Sequence, residues 1–339
     1  MRLVAGIASA ILLGALLISI SGHEPLIAFS ALWRGGFGNA RALAGTLNKS
    51  VPIGLCALGV ALAYRARLWN IGAEGQLYFG AFAAAGTALW LVKDLPPVVS
   101  VPSILLMGAL GGGFWALLAA LPRAFLGVSE ILSTLMLNYV AILWVNYLVV
   151  GPWADPLTFS FPYSPPIAVS AELPKLGFGV HWGFALFLTA AALLWLMDMG
   201  SRTLYEARVA GDGIIVARYA GISSVPLIIG IFCMAGALAG LAGAVEVAAS
   251  THRLQSGLSP GYGFMGILVA WLAGGRALAI VPCAIFYAGL LNGGFALQVS
   301  GIPPAISTIL QPLLLLCILA SLALARYRLR LLRPRLRQP

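Results

Sequence analysis

Charge is scarce in this chain. Asp, Glu, Lys and Arg make up only 9% of its 339 residues, where a soluble domain carries about a quarter. Hydrophobic residues take 61%, and the mean hydropathy is +0.98. A water-soluble fold of this size could not hide so much apolar surface. That excludes an ordinary soluble enzyme, a nucleic-acid-binding domain and a disordered chain. Cysteine is also sparse: Cys56, Cys233, Cys283 and Cys317 stand singly in apolar runs, so neither a disulfide framework nor a zinc site is indicated. His23, His181 and His252 are equally solitary, and no metal cluster is expected. No GxxxxGK[ST] run cradles a nucleotide phosphate. No Ser/His/Asp set stands at membrane depth, so no catalytic residues are expected. No spaced arginine run crosses a span, which argues against a voltage sensor.

What remains are long apolar stretches. A bilayer-spanning helix needs about 20 such residues. Ten segments qualify as candidates: 3–21, 43–64, 71–92, 98–121, 128–150, 180–199, 225–248, 261–275, 278–297 and 303–325. They are continuous rather than alternating, which favours helices over a β-barrel. The expectation is an all-α polytopic bundle of about ten spans, forming a single transmembrane domain over 1–339. Segment 261–275 is short and Gly-rich, with the look of a half-helix or re-entrant piece. Segment 3–21 shares signal-peptide features, but its apolar run is long for one. The interval 151–179 holds six prolines and reads as an ordered extracytoplasmic loop.

Orientation follows from the basic residues. With both termini in the cytoplasm, the inside receives Arg2, Arg65, Arg67, Arg123, Arg202, Arg208, Arg218, Arg276 and six tail arginines. The outside receives only Arg34, Arg41, Lys49, Lys93, Lys175 and Arg253. The tail 326–339, with Arg326, Arg328, Arg330, Arg333, Arg335 and Arg337, reads as a cytoplasmic anchor to membrane lipid rather than to nucleic acid.

Polar side chains inside spans are costly, so each is a candidate functional residue. Asn70-Ile71-Gly72-Ala73-Glu74-Gly75-Gln76 opens a span with three polar groups, read either as a helix cap or as pathway. Glu130, Thr134 and Asn138 drift across about 80° of one helix face and form a polar stripe, with Asn146 further round. The stripe is read as lining an aqueous path, with interhelical hydrogen bonding as the alternative. Glu246, near the end of its span, is read as interfacial, paired with Arg253, or in substrate contact. Asn292, beside Gly293 and Gly294, suits a kink or a cavity wall. Gly108 with Gly112, Gly236 with Gly240 and Gly289 with Gly293 are spaced for close helix packing. The stretch 201–224 mixes charge and apolar residues and reads as two short helical pieces broken at Gly211-Asp212-Gly213. Its amphipathic part could dock on a partner.

These residues resemble a known family. Glu206, Ala207, Gly211, Ile222 and Pro226 are similar to the EAA-type coupling loop of ABC importer permeases, with Gly five residues after Glu where six is usual. Asn70–Gln76, Ser133-Thr134-Leu135-Met136-Leu137-Asn138-Tyr139, Gly240–Glu246 and Leu258-Ser259-Pro260-Gly261-Tyr262-Gly263-Phe264 resemble the branched-chain amino acid/ribose-type permeases, within them the nucleoside (simple-sugar-type) group. The likeness covers about 40–325. It departs at Trp271-Leu272-Ala273-Gly274-Gly275-Arg276, where the group usually has a Leu-Leu-Gly turn and a polar-Pro pair.

The resemblance implies a bacterial-type inner-membrane permease without its own ATPase site or cofactor. Two separate ATPase subunits would consume ATP. A second permease subunit, similar or identical, and an extracytoplasmic substrate-binding protein would complete the importer. A coupling helix would then include Arg202, Glu206, Ala207, Gly211, Arg218 and Gly221. The pathway for a small-molecule substrate would involve Asn138, Thr134, Glu130, Asn146, Glu74, Gln76 and Asn292. A neutral nucleoside fits best, because no buried counter-charge is obvious at mid-span. A sugar or branched-chain amino acid permease is the alternative. An ion-coupled carrier is a further one, but would be expected to hold a titratable group near the midplane.

Overall fold

A computed structural model describes residues 2–158 and 161–324. The tail arginines lie outside the described residues. The chain is helical almost throughout, with a small β-hairpin that the sequence does not announce. The helices are α1 (Arg2–Ile20), α2 (Pro25–Phe37), α3 (Ala40–Arg65), α4 (Ala73–Gly86), α5 (Pro97–Leu126), α6 (Glu130–Val150) and α7 (Gly183–Gly200). They continue with α8 (Arg202–Asp212), α9 (Ile214–Tyr219), α10 (Ser224–Glu246), α11 (Tyr262–Leu272), α12 (Ala277–Val299) and α13 (Pro304–Leu324). Wider π-helical turns extend α4 over Thr87–Leu91 and α10 over Val247–Thr251.

Among the described residues, six helices are long and apolar enough to cross a membrane: α3, α5, α6, α7, α12, and α10 with its extension. The pair α1/α2 bends by 116° and adds a seventh if it counts as one span. The other expected spans differ for local reasons. Segment 71–92 starts after an irregular turn and ends in a π-turn. Segment 261–275 reduces to the 11 residues of α11, about 16 Å long and near half a bilayer's thickness. The α13 span reaches the end of the described residues. Residues 22–42, between two expected spans, hold α2.

The described residues form two compact units, one drawn from 1–35 and from 293 onwards, the other from 36–292. In the first, α1 packs against α13, with Gly14 within reach of Leu310 and Phe29. In the second, α3 starts from an Asn39 cap whose Oδ1 accepts the Ala42 N–H at 2.8 Å. α3 and α7 run parallel: the His181 N–H donates to Asn48 at one end and Arg65 meets Asp198 at the other, both at an offset of 133 residues. The two glycine pairs of α5 and α10 face each other. A Cβ on Gly112 would lie 2.3 Å from the Gly236 oxygen, and one on Gly240 would lie 2.2 Å from the Gly108 oxygen. Small residues thus let backbones touch where lipid supplies no hydrophobic drive.

The 151–179 loop is tied down. Ser164 and Leu254 exchange hydrogen bonds, Ile167 N–H donates to His252, and Leu173 N–H donates to Ala248. The hairpin pairs Lys175–Gly177 with Val180–His181, its turn made at Gly177, Phe178 and Gly179, all with positive φ. Arg253 lies over the Tyr163 ring, 5.3 Å from its centre. Glu246 instead has Ser250 and Lys49 as polar neighbours.

Candidate functional site

Between α3 and α4 the backbone leaves the helix. Arg67 has φ 54, and residues 68–71 are irregular. Such backbone beside a span must find hydrogen bonds inside the protein. The polar stripe of α6 supplies them. Glu130 accepts the Trp69 N–H at 3.3 Å and pairs with Arg123 at 3.1 Å. Thr134 donates to its own helix at the Glu130 oxygen, 2.6 Å away, and its Cβ faces Gly72. Asn138 donates to the Ile71 oxygen at 2.9 Å and accepts the Gly75 N–H at 2.8 Å. Gly75 has to be glycine, because a Cβ there would be 2.8 Å from the Asn138 Cα.

The turn also closes on itself. Asn70 and Gln76 exchange two amide hydrogen bonds at 3.0 Å, and Asn70 Oδ1 accepts the Gly72 N–H at 3.1 Å. All of these amide side chains are buried. Glu74 points elsewhere. Its Oε2 accepts the Gly263 N–H at 2.6 Å, at the opening of α11, where a carboxylate meets the positive helix end. Ser259 Oγ caps the same end by accepting the N–H groups of Gly261 and Tyr262. The Tyr78 hydroxyl accepts the Ser259 N–H at 3.3 Å. The Asn70–Gln76 motif and the Leu258–Phe264 motif, 188 residues apart at their starts, therefore form one joint.

Two candidates lie away from this joint. Asn292 donates to Thr46 Oγ1 at 3.1 Å, and Thr46 donates to the Gly36 oxygen at 2.7 Å. Asn146 lies two turns beyond Asn138 on α6, and its buried Oδ1 has no hydrogen-bond partner among the described residues.

The 201–223 segment folds as the two pieces α8 and α9, parted at Gly213. Leu204, Ala207 and Ala217 are buried, while Tyr205, Ile215, Val216 and Tyr219 are exposed. Arg202 pairs with Glu206 at 2.7 Å, and Arg218 and Gly221 lie on the exposed side. Gly211 abuts the end of α3: a Cβ there would be 2.9 Å from the Ala66 carbonyl carbon. Asp198 was not singled out from sequence, yet it holds Arg65 at 3.0 Å and Arg208 at 2.9 Å. The available signal was its rarity, one of ten acidic residues, one position from the end of the apolar run 180–199.

A bundle with a buried polar joint and an exposed two-helix linker matches one family by sequence as well. A profile described as the branched-chain amino acid transport system permease component matches residues 42–319. The chain belongs to that permease family. Three relatives extend the likeness over most of the permease. A glucose ABC transporter permease protein of Haloferax volcanii is 33% identical, over 90% of this chain and 83% of that protein. A guanosine ABC transporter permease protein of Bacillus subtilis is 32% identical over 92% and 90%. A nucleoside ABC transporter permease protein of Lactococcus lactis is 28% identical over 87% and 84%. No solved structure matches the permease. It is the membrane-embedded permease subunit of an ABC importer, and the ATPase site belongs to other subunits.

Proposed function

We propose that this permease imports nucleosides by alternating access. The observation that carries a neutral substrate is that three carboxylates are already engaged by the protein. Glu74 sits on the α11 N-terminus, Glu130 on Arg123, and Asp198 between Arg65 and Arg208. The ammonium group of an amino acid zwitterion would need a free carboxylate, which these groups do not leave over. The guanosine and nucleoside relatives favour a nucleoside. The glucose relative, of similar identity, supports a hexose as the second reading.

In this reading Glu130, Thr134, Asn138, Glu74, Gln76, Asn146 and Asn292 border or brace the pathway. The joint at 66–76 is the part that moves. Two ATPase subunits dock on α8 and α9, with Arg202, Glu206, Ala207, Gly211, Arg218 and Gly221 forming or shaping the contact. ATP binding drives transport to the extent that it favours one state of the pair over the other. A second permease subunit completes the cavity, and an extracytoplasmic binding protein delivers substrate to the 151–179 side. The chain forms one permease domain of about ten membrane-embedded segments, with both termini and the basic tail in the cytoplasm of a bacterial-type cell.

The test is uptake into liposomes holding the permease with its co-encoded ATPase, permease and binding-protein partners. ATP-dependent uptake of labelled nucleoside, competed by nucleosides and not by ribose or glucose, is expected. Sugar uptake would keep the mechanism and overturn the substrate. Uptake driven by an ion gradient without ATP would overturn the importer reading.

A further inference from the structure

A cleft of about 580 Å³ opens where the ends of α3 and α7 meet α8 and the start of α12. Its polar wall holds three guanidinium groups, Arg65, Arg208 and Arg276, and one carboxylate, Asp198. Asp198 binds Arg65 and Arg208 together, which fixes their direction. Arg276 is exposed and has no hydrogen bond or ion pair from its side chain to another described residue. It is presented by the Gly274–Gly275 turn, both glycines at positive φ (61° and 70°), and a Cβ on Gly275 would lie 3.9 Å from Arg65 Nη1. The cleft thus carries two uncompensated positive charges, and the opening of α12 adds to their field.

Apolar side chains line the same cleft. Trp195 and Leu278 line it and are 41% and 46% exposed. Both belong to helices long enough to span, Trp195 five residues from the end of α7 and Leu278 at the second residue of α12. A mouth framed by span ends lies at the depth of lipid headgroups, where an amphipathic aromatic ring is at home. Positive charge and exposed apolar side chains in one cleft match a phosphate ester joined to acyl chains, better than they match a protein surface.

We propose that this cleft binds the phosphate of an anionic phospholipid, in the leaflet next to the α8–α9 linker. Arg276 and Arg208 hold the phosphate, and Trp195 and Leu278 flank the first carbons of the chains. The site does not depend on which substrate the permease carries.

The test is native mass spectrometry of the complete transporter, titrated in detergent with phosphatidylglycerol, phosphatidylcholine of the same chains, or glycerol phosphate. Preferential retention of phosphatidylglycerol is expected, weakened about fivefold in Arg276→Gln and restored in Arg276→Lys, since each interfacial arginine gives about that factor. The basic tail is present in every sample and cancels. Equal binding of glycerol phosphate would overturn the lipid in favour of a soluble phosphate ester. Unchanged lipid retention in Arg276→Gln, or loss of ATPase subunits with lipid retention intact, would overturn the site. A photoactivatable phosphatidylglycerol added to the unmodified transporter gives a reading without any variant. Labelling is expected in peptides holding Trp195 and Leu278, and its absence there would refute the proposal.

Discussion

Replacing Asn138 by Leu separates bracing from pathway. The side chain makes two hydrogen bonds to backbone, one to the buried Gly75 N–H and one to the half-buried Ile71 oxygen. Leucine keeps the volume and leaves both groups unpaired. An orphaned buried polar group costs about 1–3 kcal/mol, while hydrogen bonds between membrane helices average about 0.6 kcal/mol. Together these place the loss near 2 kcal/mol. Asn138→Asp keeps the Gly75 bond but sets oxygen against the Ile71 oxygen, so it should lose at least as much. The assay is unfolding of the purified permease by SDS titration, run beside ATP-driven uptake. Stability and uptake should fall together. Wild-type unfolding with uptake abolished would refute the bracing argument, because Asn138 would then act on substrate alone.

Other outcomes follow from the same contacts. Gly112→Val puts side-chain carbon against the Gly236 oxygen and the Gly240 Cα, both backbone atoms, so folded permease should be lost from the membrane by at least the 1–3 kcal/mol of overpacking; normal yield and protease resistance would disprove the seam. Gly211→Pro should stop ATP hydrolysis from driving uptake while membrane insertion persists, and unchanged transport would sink the docking role of α8. His181, outside the spans, has its pKa pushed down to about 4 by burial, so the unfolded chain takes up the proton first. Stability is then full above about pH 6.5 and declines towards pH 4, on the order of 3 kcal/mol in all. His181→Gln should flatten that decline in a pH series of unfolding curves, and an unaltered slope would assign it to another group.

Helix positions were legible because the apolar runs are long and bounded by charge; α3, α5, α6, α7 and α10 begin and end within a few residues of the expected limits. The α8–α9 break was legible too, since Gly211-Asp212-Gly213 interrupts an amphipathic pattern. The bend between α1 and α2 was not: its cause is four residues, Ser21–Glu24, in an otherwise apolar stretch. Nor was the joint between Glu74 and Gly263. Each half is a Gly-rich motif, and only tertiary contact reveals that the carboxylate of one caps the helix of the other. The polar stripe on α6 was visible by its spacing, but its partners are backbone groups, which carry no sequence signature. Asp198 went unread for a similar reason: its partners, Arg65 and Arg208, lie on other helices.

Asn146 stands apart. Among the seven side chains read as pathway residues, Glu130, Thr134, Asn138, Glu74, Gln76 and Asn292 each already hold a protein partner. Asn146 Oδ1 is buried and holds none among the described residues. An unmet acceptor in an apolar setting is unfavourable in this conformation, and a substrate hydroxyl or amino group is a donor that would relieve it. In alternating access such a group is covered in one state and reached in another, so the unfavourable state and the binding state need not coincide. Asn146→Leu should therefore leave unfolding unchanged to within about 0.5 kcal/mol, or stabilise the permease slightly, because no hydrogen bond is lost. Uptake should fall, with the apparent Km for substrate raised about tenfold, the effect of losing a hydrogen bond worth about 1.4 kcal/mol. If Asn146→Leu transports as the unaltered protein does, the acceptor is not on the substrate's route. If it unfolds early, Asn146 has a partner that the contacts above do not include, and the pathway must be sought on another face of α6.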